Sequence, residues 1–274
     1  GSSPHEQDLS GDELTAGAHN NITLTDNPTL VDGAIYSIAF DATDAAGNDA
    51  TTVTNTGITY DVTTTAPTLA IPAASSSDNA TIAIDFTLPE AASSETVKMT
   101  FTRTGGSADG NSPHTIIFNN DNGFETVGQH SASLNGSNLG ANENVASATA
   151  DALLVDDAIY SVKIEYQDEV GNTVASVTNS TFTYDITVPT ISSTAPAQDA
   201  SIKDIEVSYT LSEAVASGTV TFTRTSGSAD GSSPHEQALS GTELNSGAHN
   251  NITLTNNPTL VDGAIYSIAF DATD

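Results

Sequence analysis

The chain has no cysteine and no tryptophan, a single methionine, and only 5 lysines and arginines against 35 aspartates and glutamates. Without cysteine there are no disulfides, no thiol nucleophile, no thiolate-bound zinc and no iron–sulfur cluster. The redox compartment stays open, since no disulfide is at stake. The scarcity of cations leaves a formal net charge of −30. That balance excludes nucleic acid as a partner, because phosphate recognition needs a basic surface. It also disfavours anionic membrane surfaces. No apolar run approaches the roughly 20 residues that a membrane helix requires, so no membrane insertion is expected. The first residues lack the basic-then-apolar order of a signal peptide. What the chain does have is strand-forming composition: 40 threonines, 8 phenylalanines, 7 tyrosines and 37% hydrophobic residues. It can bury cores, so its acidity is not that of a disordered chain.

Internal repetition organises the sequence. Residues 1–44 reappear as residues 231–274 with five differences: Asp8/Ala238, Asp12/Thr242, Thr15/Asn245, Ala16/Ser246 and Asp26/Asn256. A more divergent copy lies between them. Ile-Tyr-Ser occurs at Ile35–Ser37, Ile159–Ser161 and Ile265–Ser267, at spacings of 124 and 106 residues. TYDVTTTAPT (59–68) and TYDITVPT (183–190) mark two linkers, and FTRTGGSADGNSPH (101–114) matches FTRTSGSADGSSPH (222–235). These matches divide the chain into the C-terminal part of one domain (1–66), a complete domain (67–188), and a domain lacking its last strand (189–274). We expect the chain to be a window onto a longer tandem array.

The apolar period is two. Tyr36, Ile38 and Phe40 share one face, as do Tyr160, Val162, Ile164 and Tyr166, and also Ile205, Val207, Tyr209 and Leu211. Asp-Gly, Gly-Asn, Asn-Pro and Ser-Gly turns punctuate these runs at short spacing, which reads as all-β. Seven strands are expected in the complete domain, at about 68–72, 80–88, 95–104, 114–119, 144–149, 158–166 and 173–184. The Asn-, Gly- and Ser-rich stretch 119–143 reads as an inserted surface loop.

The recurring order is a linker such as TYDITVPT, then a strand, Leu-Ser-Glu-Ala, a strand, an Asp-Gly-Ala-Ile-Tyr-Ser strand, an Asp-Ala-Ala-Gly-Asn turn and a Tyr-Asp ending. It resembles the bacterial immunoglobulin-like tandem repeats of large extracellular adhesins and surface fibres. The resemblance covers the whole chain. It implies tandem immunoglobulin-like Greek-key β-sandwiches in an extended array, export to the cell surface, and frequently calcium at the domain junctions.

In such a sandwich two loops and the incoming linker meet at one end of each domain, and the sequence places acids in all three. For the central domain they are Asp61, Glu90 and Asp168, with Asn172; for the third domain Asp185, Glu213, Asp271 and Asp274; the first part keeps Asp41, Asp44 and Asn48. A hard cation taking 6–8 oxygens suits such a set, so Ca2+ is the expected cofactor. Taken singly, Asp-x-x-Gly-Asn is ordinary turn chemistry. The histidines lie in polar loops with no nucleophile elbow, so no catalytic residue is assigned and the chain is not read as an enzyme. Arg103 and Arg224 each precede a Gly-Ser-Ala-Asp-Gly loop, where hydrogen bonds to loop carbonyls or a local ion pair are expected. The sequence therefore reads as the structural stalk of a secreted or cell-surface fibre. Its partners would be neighbouring repeats and other copies in a filament. The alternative is an adhesive module that grips a glycan or protein through 119–143.

Overall fold

The computed structural model describes residues 3–24 and 27–274; Asp26, one of the five repeat differences, lies outside them. The structure is all-β, with 44% strand and 4% helix, the latter only short 3-10 turns. It divides into two compact units, Gly1–Asp185 and Ile186–Asp274.

The first unit opens with a two-stranded sheet, β1 (Ala34–Phe40) against β2 (Val53–Tyr60). Its remaining strands are β3 (Thr68–Ile71), β4 (Ser77–Asp78), β5 (Thr81–Leu88), β6 (Lys98–Gly106), β7 (His114–Phe118), β8 (Gly128–Asn135), β9 (Val145–Ala148), β10 (Ala158–Tyr166) and β11 (Ala175–Tyr184). One sheet has the order β3-β5-β8 and the other β4-β11-β10-β6-β7-β9. Phe86 of β5 meets Phe118 of β7 with ring centroids 5.4 Å apart, so the two sheets share one core. Strict alternation builds that core. Ala158, Tyr160, Val162, Ile164 and Tyr166 are all buried, while the residues between them are half-exposed. Each fully buried aliphatic or aromatic side chain of this kind contributes about 1.5–3 kcal/mol.

The stretch 119–143 is not a surface loop. It contains β8, which pairs with β5 along the whole length from Thr81↔Asn135 to Leu88↔Gly128, and it buries Phe124, Leu134 and Leu139. The period-two signal was muted because the inward positions of β8 are His130, Ala132 and Leu134, only one of them strongly apolar. The strand expected at 144–149 exists as β9, but it pairs with β7.

The second unit consists of β12 (Ile191–Ala195), β13 (Val207–Leu211), β14 (Ser217–Gly227), β15 (His235–Ala238), β16 (Gly247–Ile252) and β17 (Ala264–Thr273), in sheets β12-β13-β16 and β15-β14-β17. Val207, Tyr209, Leu211, Val220, Phe222 and Leu254 form its core. β16 is the counterpart of β8. Both start at a glycine in the left-handed region, φ 129° at Gly128 and 107° at Gly247. Both carry a histidine whose Nε2 meets the carbonyl oxygen four residues earlier, His130 at 2.8 Å and His249 at 2.9 Å.

Candidate functional site

The densest polar arrangement in the first unit surrounds the segment Asp61–Pro67, between the β1/β2 sheet and β3. Every residue from Val62 to Thr65 is held by a carboxylate. Asp32, two residues before β1, accepts the Val62 N–H at 2.8 Å and the Thr63 hydroxyl at 2.5 Å. These two bonds hold the Asp32 carboxyl below the usual range. Asp168 Oδ2 accepts the Thr64 hydroxyl at 2.9 Å. Glu90 accepts both the N–H of Thr65, at 2.9 Å, and its hydroxyl. The Tyr166 hydroxyl donates to the Thr65 carbonyl at 2.7 Å, and burial together with the neighbouring Glu90 and Asp168 pushes that phenol up.

Asp168 is organised by its own turn. Its Oδ1 accepts the N–H groups of Gly171 (2.8 Å) and Asn172 (3.0 Å), and its Oδ2 accepts Asn172 Nδ2 at 2.9 Å as well as Thr64. The side chain is 1% exposed. Burial alone would raise its pKa, but hydrogen bonds from Asn172, Thr64 and Gly171 outweigh it, and the net direction is down. Four bonds fill the acceptor capacity of a carboxylate. Asn172 Nδ2 also donates to Asp61 at 2.9 Å, tying the turn to the end of the incoming strand.

Of the expected cation ligands of the central domain, Asp61, Glu90, Asp168 and Asn172 therefore come together in one network whose donors are protein N–H and O–H groups. In the first part, Asp44 closes a similar turn, with Asn48 in the place of Asn172. It accepts the N–H groups of Ala46 and Asn48 and the Asn48 side-chain amide, at 2.8–2.9 Å. Asp41 instead bonds the Thr52 hydroxyl. Asp185 follows β11, where its oxygens lie within 4.8 Å of those of Asp156 and Asp157. In the second unit Glu213 and Asp274 bring carboxylate oxygens within 4.8 Å of each other. Asp271 sits on an exposed position of β17. Asp32, Thr64 and Thr65 escaped the sequence reading, though the Thr-Thr-Thr run was a usable signal: neutral donors beside excess carboxylates.

A second polar device occurs in both units. Asp109 Oδ2 takes His114 Nε2 and the Tyr160 hydroxyl, each at 2.7 Å, while the Tyr160 oxygen accepts the Val155 N–H at 2.9 Å. Asp230, His235, Tyr266 and Val261 repeat it at 2.6–3.0 Å. Burial raises Asp109, but the bonds from Tyr160, His114 and the Asn111 N–H win and lower it. In the second unit the bonds from Tyr266 and His235 bring Asp230 down to about 2. The arginines do not pair with these acids. Arg103 donates to the carbonyls of Ser107 and Gly106 at 2.6 and 2.7 Å, and Arg224 does the same to Ser228 and Gly227, both at 2.6 Å. The recurring Asp-to-His spacing of five residues was the visible sign of this latch. Compared with protein-family models and with curated proteins, the chain matches no family model and no curated protein.

Proposed function

We propose that the chain is a stretch of tandem immunoglobulin-like Greek-key sandwiches that serves as the structural stalk of a long extracellular or cell-surface fibre, without enzymatic activity. One observation carries the reading: the segment 62–65 is bonded at every residue, by Asp32 from one side and by Asp168 and Glu90 from the other. A connection made this way has little slack. That suits a part whose work is reach and spacing, and a flexible tether would leave such a segment solvated. The tyrosine that accepts a backbone N–H five residues upstream, in β1, β10 and β17 alike, also suits an immunoglobulin-like sandwich. The adhesive alternative would rest on the outward face of 119–143, since Phe124, Leu134 and Leu139 of that stretch are buried.

Calcium belongs to this proposal as the ion that stiffens the array. The network around Asp168 is complete with protein donors and leaves that carboxylate no acceptor site to give. The oxygens that fit a hard cation better are those of Asp156, Asp157 and Asp185, whose like charges repel within 4.8 Å. A ligand of the folded state stabilises it by mass action, so millimolar Ca2+ should raise the melting temperature above that in excess chelator. Coincident melting curves would remove the ion from the proposal. Antibody labelling of intact cells tests the stalk itself. Surface-exposed, elongated labelled material is the expected result, and label seen only after permeabilisation would overturn it.

A further inference from the structure

Two buried glutamates precede β8 and β16, and only one of them is satisfied. Glu243 is 7% exposed; its Oε1 accepts the N–H and the hydroxyl of Thr255 at 2.8 and 3.0 Å, and its Oε2 accepts the Ser240 N–H at 2.7 Å. Glu125 is 6% exposed and has a single donor. The N–H of Glu95, a residue in the left-handed region at φ 60°, meets its Oε1 at 2.5 Å. Its Oε2 has no donor among the described residues, and Glu125 takes part in no ion pair among them. The fold does not ask for an acid at this place. Leu244 is the counterpart, three residues before Gly247 as Glu125 is before Gly128. The Leu244 carbonyl accepts the Val215 N–H at 2.9 Å, as the Glu125 carbonyl accepts the Ala92 N–H at 2.8 Å. Leu244 packs against the core of the second unit. A buried carboxylate oxygen without a donor costs free energy that a leucine does not. It therefore calls for a partner from outside the chain.

Glu125 lines a cleft of about 790 Å³ in the first unit, between the loop 91–94 before β6, the loop 120–127 before β8, and Glu169 after β10. That volume suits a small ligand. The walls are tied together: the Glu169 N–H donates to the Ala91 carbonyl at 3.1 Å, and the Ser93 hydroxyl to the Asp168 carbonyl at 2.5 Å. Glu169 adds an exposed carboxylate, and Val127, 63% exposed, adds apolar surface beside Ala91. A hard cation takes 6–8 oxygens. Here the carbonyls of Ala91, Ser93, Asn120, Glu125 and Thr126 already accept protein donors, which leaves that set short. We propose that the cleft binds an organic cation, an ammonium or guanidinium head on an apolar stem, with the head on Glu125 Oε2 and the stem on Val127 and Ala91. Such a head supplies the missing donor and the opposite charge in one contact. The net charge of −30 concentrates cations near the surface, so binding weakens with salt. The proposal stands whether or not the chain is a stalk.

Titrations of the full chain at low salt, followed by amide NMR, test it with hexylammonium, a blocked lysine, hexanol and Ca2+. Hexylammonium and the blocked lysine should shift the Ser94, Glu95 and Thr126 amides with millimolar affinity. The tighter of the two shows whether a free amine or a protein side chain is the better occupant. Glu125→Gln, which keeps an oxygen for the Glu95 N–H, should weaken this binding about thirtyfold or more. Glu169→Gln, at the exposed rim, should weaken it about fivefold at most. Glu125→Leu should melt no lower than the parent chain, since Leu244 occupies the same place, and should lose the site. Hexanol binding as tightly as hexylammonium, Glu125→Gln binding like the parent, or shifts at these amides caused by Ca2+ and not by either amine would overturn the proposal.

Discussion

Residues 1–44 and 231–274 are nearly the same sequence in two surroundings, and they do not have the same structure. In the second setting the sequence forms β15, β16 and β17; in the first it forms β1 alone of these. What survives in both is local. Each copy has a one-turn 3-10 helix closed by a capping box, Ser10 with Glu13 and Ser240 with Glu243. Each has a histidine bonded to the carbonyl four residues earlier, His19 and His249, both at 2.9 Å. Each has a tyrosine accepting an N–H five residues upstream. What differs is non-local. β15 exists because β14 lies beside it, and β16 because β13 does. Turns and caps are therefore properties of the segment, and strands are properties of the company it keeps.

The largest test of this contrast sets Ile164 against Phe40, which hold equivalent places in β10 and β1. Ile164 is fully buried and Phe40 is 54% exposed. Ile164→Ala should cost about 2–5 kcal/mol through transfer and cavity terms. Phe40→Ala should stay within about 0.5 kcal/mol, as exposed substitutions do. Urea midpoints read on first-unit amides would measure both. Equal losses would mean that the β1/β2 sheet is covered in solution.

A smaller effect is expected at the tyrosines. Tyr160→Phe leaves the part-buried Val155 N–H and the Asp109 carboxylate each short of a partner and should cost about 1–3 kcal/mol. Tyr36→Phe loses one exposed bond, to the Val31 N–H, and should cost about 0.5 kcal/mol or less. Thermal melts of the two variants compare them directly.

The smallest effect is in acid. Asp230 is lowered from the usual 3.8 to about 2, and Asp109 is also lowered. A carboxylate that is more acidic when folded stabilises the fold above its unfolded pKa, and that contribution fades as pH falls through the folded value. Melting temperature should therefore be level above pH 4 and decline between about 4 and 2. Asp230→Asn should flatten the second unit's share of that decline. An unchanged slope in the variant would assign the acid sensitivity elsewhere, with Asp32, Asp44 and Asp168 the next carboxylates held low.

Much of the fold could be read from alternation and punctuation. All seven strands expected between residues 68 and 184 lie close to where they were placed, because inward positions carry Ile, Val, Phe and Tyr. β8 escaped because histidine and alanine fill two of its inward places. At the linker, the sequence pointed to Asp61, Glu90 and Asp168 by their sign and to a common end of the domain. It did not show that threonine hydroxyls and backbone N–H groups occupy those oxygens. Hydrogen-bond partners 25 and 104 residues away leave no local pattern.

By itself, then, the sequence determined the repeat, the strand period, the turn chemistry of Asp44 and Asp168, and the excess of negative charge. Each is written in residues a few places apart, where backbone geometry and side-chain reach decide the outcome. The tertiary structure alone decided which copies of Ala-Ile-Tyr-Ser become core, since burial needs a second sheet. It also decided which carboxylates hold the linker, because a lone pair is filled by whichever donor the fold brings within about 3 Å.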